Sequence, residues 1–129
     1  MNISTFLYIL MMLLFFFVGI ASGQEFLTEA NFNDKTAKDI VAVEFWVDWN
    51  SNNQFNELEE LKDCQTYRVD IARFPSLQNK YEVASIPVII IFESGEEKQR
   101  FLPNIMFELD ATKKDIQKSI DQLMIAKFN

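Results

Sequence analysis

Histidine is absent from this chain of 129 residues, cysteine occurs once, at Cys64, and glycine and proline occur three times each. Zinc sites are built mainly from thiolates and imidazoles, so a zinc centre has almost nothing to be built from, and neither a metal nor a cofactor is expected. Positive charge is scarce too. Twelve Lys and Arg face nineteen Asp and Glu, for a net charge of −7. Nucleic acid and anionic lipid are poor partners for that balance, because their phosphates would be repelled rather than neutralised. No linker, repeat or low-complexity tract divides the chain.

The N-terminus lacks charge of either sign. No charged side chain precedes Glu25, Phe6 to Val18 is an unbroken apolar run, and Ala21-Ser22-Gly23 offers small residues before Gln24. This pattern predicts a secretory signal peptide over 1–23 and a mature domain over 24–129, in a periplasmic or extracellular setting. The n-region carries no Lys or Arg, so the alternative is an uncleaved membrane anchor through 3–21. The apolar core is shorter than the roughly 18 to 20 residues that a spanning helix needs.

The mature part reads as alternating strands and helices. Phe26-Leu27 predicts a short first strand, and Thr28 to Asn31 the start of a short helix. Ile40 to Val47 is nearly all apolar, as a strand covered on both faces would be, and is the expected central strand, with Trp46 in the core. Asn50-Ser51-Asn52-Asn53 favours a helix start, with Phe55, Leu58 and Leu61 on one face of a short helix. Gln65 to Ile71 predicts a strand parallel to the central one, and Pro75 opens a helix in which Leu77 and Tyr81 share a face. Val88 to Phe92, the turn at Ser94-Gly95 and Lys98 to Leu102 form a hairpin. A last helix, capped by Asp110 or Thr112, carries Ile116, Ile120, Leu123 and Met124 as its apolar stripe.

Four segments in order then resemble one family. Val41 to Trp49, reading Val-Ala-Val-Glu-Phe-Trp-Val-Asp-Trp, is similar to the apolar strand, buried carboxylate and tryptophans that precede the W-C-G-P-C motif of thioredoxins. Tyr67-Arg68-Val69-Asp70-Ile71 is similar to the strand that follows, Tyr81 to Pro87 to the segment ending in a cis-proline, and Val88 to Gly95 to the hairpin. The resemblance covers 26–128. It implies an α/β thioredoxin-like fold, a mixed central sheet of about five strands flanked by about four helices. The cysteine pair does not match, since Asn50 and Asn53 stand in its place. The segment between Trp49 and Asp70 is shorter than in the family by roughly two helical turns. After Phe101, the apolar stretch Leu102 to Leu109 is longer than the family's connection.

Disulfide exchange needs a thiolate and usually a resolving thiol, and neither asparagine supplies one. Cys64 precedes the second parallel strand while Trp49 follows the end of the first, which puts them at opposite ends of the sheet, about 20 Å apart. Its alternative roles are a partly buried filler and an intermolecular thiol. Glu44, at the family's buried carboxylate, should have a pKa raised by desolvation unless an amine reaches it; it is expected to reach the sheet end or pair with a lysine, the alternative being a proton-transfer role. The resemblance implies a cis bond before Pro87 and a groove lined by Trp49, Asn50, Asn53, Ile86 and Pro87 that takes extended peptide. Leu102 and Leu109 are expected to close over the shortened helix, leaving Met106 or Phe107 as a contact patch.

The reading is a non-catalytic, exported thioredoxin-like protein that binds a protein or peptide partner. One alternative is a thiol-disulfide oxidoreductase acting through Cys64. Another is an accessory subunit of an envelope complex held by Ile105-Met106-Phe107. Sequence leaves the oligomeric state open.

Overall fold

The computed structural model describes residues 2–9 and 23–129. Most of the expected leader over 1–23, and of the alternative anchor over 3–21, lies outside the described residues. Among the described residues no helix is long and apolar enough to cross a membrane.

From Phe26 onward, five strands and three α-helices follow one another: β1 (Phe26–Leu27), α1 (Phe32–Thr36), β2 (Ile40–Trp46), β3 (Gln65–Asp70), α2 (Pro75–Lys80), β4 (Val88–Glu93), β5 (Glu96–Phe101) and α3 (Lys113–Lys127). Two 3-10 helices, Asp48–Asn53 and Leu58–Glu60, lie between β2 and β3. The sheet order is β1-β3-β2-β4-β5. β1, β3 and β2 run parallel, while β4 and β5 are antiparallel additions on the other side of β2. Central position explains the composition of β2: its first six residues are all buried, because both faces are covered and both edges paired.

Alternation along the strands divides the core in two. Val41, Val43 and Phe45 face one side with Val69, Ile90 and Phe92, where α1 and α2 bring Phe32 and Leu77. Ile40, Ala42, Ile89 and Ile91 face the other, where α3 brings Ile116 and Ile120 and the β2–β3 connection brings Phe55, Leu58 and Leu61. The first layer is aromatic: Phe32, Phe45, Tyr81 and Phe92 pack as a group with centroids 5.1 to 6.3 Å apart.

Local signals account for the element ends. Thr28 and Asn31 exchange side-chain to backbone hydrogen bonds, so the turn starts at Thr28 but α1 itself starts at Phe32. Pro75 occupies the first turn of α2, where a missing N–H is harmless. Thr112, not Asp110, caps α3, in a capping box with Asp115. The hairpin turn places both Ser94 and Gly95 at positive φ, and a Cβ at Gly95 would meet Ala37.

Two expectations change. The helix after Asn53 does not form as one unit: the chain is extended at Gln54 (φ −63°, ψ 152°), so Phe55 sits between two 3-10 turns. Five amide side chains within the seven residues from Asn50 to Asn56 compete for local hydrogen bonds there, as Asn53 to Asn50 and Gln54 to Asn56 show. Trp46, expected in the core, is only partly buried at the end of β2, where its Nε1 donates to Gln54 (3.1 Å) and its ring meets Phe26 edge-on.

Candidate functional site

Trp49 and Asn50 follow β2 directly, so the end of the central strand sets their position. Trp49 is 69 % exposed, whereas Asn50 is buried. The Asn50 Nδ2 donates to the carbonyl of Phe107 (3.0 Å), and its Oδ1 accepts from Asn53 Nδ2 (2.9 Å). The Phe107 ring stands perpendicular to the Trp49 indole with centroids 5.4 Å apart. Where a redox site would hold a thiolate, two amides instead tie the β2 end to the connection after β5.

That connection is built around one side chain. Asn104 Oδ1 accepts from the N–H groups of Met106 (2.8 Å) and Glu108 (3.1 Å), the Asn104 N–H donates to the Glu108 carbonyl (2.7 Å), and Pro103 bridges to Leu109. Phe107 takes positive φ inside this loop. The tip points outward, with Ile105 98 % and Met106 66 % exposed, and Phe107 is exposed on its outer side. Leu109 packs partly against the α3 layer, as expected for a closing residue, but Leu102 does not close and is largely exposed. The loop's own hydrogen bonds, rather than apolar collapse, set its shape, which leaves Leu102 on the solvent side.

An apolar hollow of about 290 Å³ opens beside Trp49, lined among others by Val47, Ile71, Val83, Ile86 and Phe107. Trp49 and Ile86, both expected in a groove, line this same hollow. Asn50 and Pro87 are buried beside the hollow and do not line it, and Asn53 lines a different cleft. The Ile86–Pro87 peptide bond is cis. The N–H and carbonyl of Ile86 have no hydrogen-bond partner among the described residues.

Glu44 lies directly across from Arg68 in the β2–β3 register, and both are buried. Arg68 Nε donates to Glu44 Oε1 (2.7 Å), the Phe55 N–H donates to Glu44 Oε2 (2.8 Å), and the Arg68 Nη2 donates to the Phe55 carbonyl (2.8 Å). The carboxylate's partner is thus an arginine rather than a lysine, and it does not reach the sheet end. Burial pushes the Glu44 pKa up, while the Phe55 N–H and the Arg68 guanidinium pull it back in part. The ion pair clamps Phe55, one of the four residues between the two 3-10 turns. Glu44 within the apolar β2 and Arg68 opposite it in β3 were the signal for it, legible only once the register is known.

Cys64 stands at the other end of the sheet, immediately before β3 and partly buried against the α3 layer. Burial, with a smaller contribution from Asp63, raises its thiol pKa to about 11. A thiol so placed is almost entirely protonated near neutrality and is a poor nucleophile. Among the described residues no group of His, Cys, Asp or Glu could hold a metal ion.

Comparison with known proteins agrees with this geometry. The thioredoxin family model matches residues 23–122. A thioredoxin of Mycoplasma genitalium is 31 % identical over 77 residues, spanning 53 % of this chain and 76 % of its own length. The chloroplastic thioredoxin Y1 of Arabidopsis thaliana is 37 % identical over 68 residues, which span 47 % of this chain and only 40 % of that protein. Among solved structures, a mutant thioredoxin from Halobacterium salinarum overlays with a TM-score of 0.62 at 17 % identity, covering 78 % of this chain and 88 % of that one. With its family model matched over most of its length, the chain belongs to the thioredoxin family, as a member whose single cysteine leaves it without a dithiol motif.

Proposed function

We propose that this protein binds an extended protein or peptide partner in the hollow between Trp49 and Ile86 and performs no thiol chemistry on it. The observation that carries the reading is the exposed indole of Trp49 at the mouth of an apolar hollow, standing next to a hydrogen-bonded Asn50 instead of a thiolate. The Ile86 backbone N–H and carbonyl, which make no hydrogen bond among the described residues, are the groups an added strand would pair with. We place it in the cell envelope on the uncharged apolar stretch Phe6 to Val18 and the small residues Ala21-Ser22-Gly23. The rival oxidoreductase reading has to act through Cys64, whose raised pKa and distant position both oppose it.

Trp49 fluorescence tests the binding directly. In a Trp46→Phe background, reduced and carboxymethylated ribonuclease A offers an extended chain without disulfides. A saturable shift of the remaining indole emission is expected, weakened by Ile86→Ser. An emission spectrum that stays fixed while far-UV circular dichroism shows a folded protein overturns the reading.

A further inference from the structure

Two hollows flank the ridge made by Phe107, and their chemistry differs. On one side lies the apolar hollow of Trp49 and Ile86. On the other, a cleft of about 390 Å³ is lined by Asn53, Asn56, Glu57, Glu108 and Asp110 among others. Phe107 belongs to the first and Glu108, the next residue, to the second. The Asn50 amide on the Phe107 carbonyl and the Asn104 hydrogen bonds hold this partition in place.

The acidic side is unanswered. Glu108 and Asp110 are exposed and make no ion pair among the described residues. Glu57 meets only Lys113, at 3.8 Å and with both side chains well exposed, and Lys113 is shared with Glu60. No Lys or Arg occurs from Asp39 to Leu61 or from Leu102 to Thr112. Lys113 and Lys114 stand just beyond Thr112 at the rim, but the carboxylates of Glu57, Glu60, Glu108 and Asp110 outnumber them, so the local field favours a cation.

Resting on the peptide-binding reading above, we infer that the partner is a protein segment with two anchors: an apolar side chain for the Trp49–Ile86 hollow and a Lys or Arg for the Glu108–Asp110 cleft, straddling Phe107. Phe107 lines one hollow and Glu108, the next residue, lines the other, so the two anchors stand close together along an extended segment. A second copy of this chain would set acidic cleft against acidic surface, and an anionic membrane would be repelled in the same way.

Panning a phage-displayed library of random linear dodecapeptides on the full chain tests this. The expected outcome is enrichment of peptides in which Lys or Arg lies close along the chain to Trp, Phe or Leu. Synthetic copies should shift Trp49 emission, and their affinity should fall roughly three- to tenfold with Glu108→Gln plus Asp110→Asn, two changes at exposed positions. About 1 M salt, where the screening length is about 3 Å, should lower it similarly. Enriched peptides that lack basic residues, or binding indifferent to the double variant and to salt, overturn the two-anchor assignment while leaving the apolar hollow as a peptide site. Failure to enrich any peptide defeats both readings.

Discussion

Each end of the central sheet holds half of what a redox site requires. At the β2 end, the exposed Trp49 and the cis-proline segment frame an accessible hollow, but the side chains beneath them are the amides of Asn50 and Asn53. At the β3 start, Cys64 supplies a sulfur, but its environment pushes the thiol pKa to about 11. An accessible hollow without a thiol and a protonated thiol at the far end of the sheet do not combine, because the length of β3 separates them. The difference teaches that the hollow beside the cis-proline can persist when the cysteine pair is absent. The β2 end is built as a surface; the β3 start is built as packing.

The largest expected effect comes from the clamp that holds the β2 end together. Arg68→Ala leaves Glu44 as a buried, unpaired carboxylate and frees the Phe55 carbonyl, and should cost about 3 to 5 kcal/mol in denaturant unfolding. A loss under 1 kcal/mol would mean that the Phe55 junction is held by something else. Next, Asn50→Ala removes the bond to the Phe107 carbonyl and should cost about 1 to 2 kcal/mol, with a change in Trp49 emission as the Phe107 ring loosens.

Acid titration sharpens the same comparison. Glu44 has a folded pKa above the ordinary 4.5, so between those two values the folded protein holds more protons than the unfolded chain. Unfolding free energy therefore falls as pH rises through that window, and the slope belongs to Glu44. Glu44→Gln should remove it when the two pH profiles are subtracted. Equal slopes in both proteins would contradict the assignment.

The β3 start should show the smallest effects. Cys64→Ser should change stability by no more than about 1 kcal/mol. The native thiol should react slowly with a disulfide reagent near neutrality and faster as pH approaches about 11. Met106→Ser, at a largely exposed position, should shift stability by no more than about 0.5 kcal/mol.

Most of the fold was legible because strand and helix signals agreed with one another. The apolar run of β2, the proline at the start of α2, the Ser94-Gly95 turn and the stripe on α3 each follow from local chemistry and were placed to within a few residues. The groove pair Trp49 and Ile86 was legible through the resemblance. What escaped depends on long-range geometry. The pairing of Glu44 with Arg68 needs the β2–β3 register, and the tie from Asn50 to Phe107 joins residues 57 positions apart. Leu102 was misjudged because its hydrophobicity suggested burial, while the Asn104 hydrogen bonds dictate a loop that turns it outward. Trp46 was misjudged because strand membership alone does not show that the last residue of β2 reaches past the covering layer.

The central claim is that a binding surface remains where redox chemistry has been lost. Reduction of insulin disulfides by the full chain, with dithiothreitol as electron source, tests it most directly. The account predicts no acceleration beyond dithiothreitol alone, and identical traces for the native protein and Cys64→Ser. Turnover well above that background, abolished by Cys64→Ser, would contradict it and make Cys64 the working nucleophile.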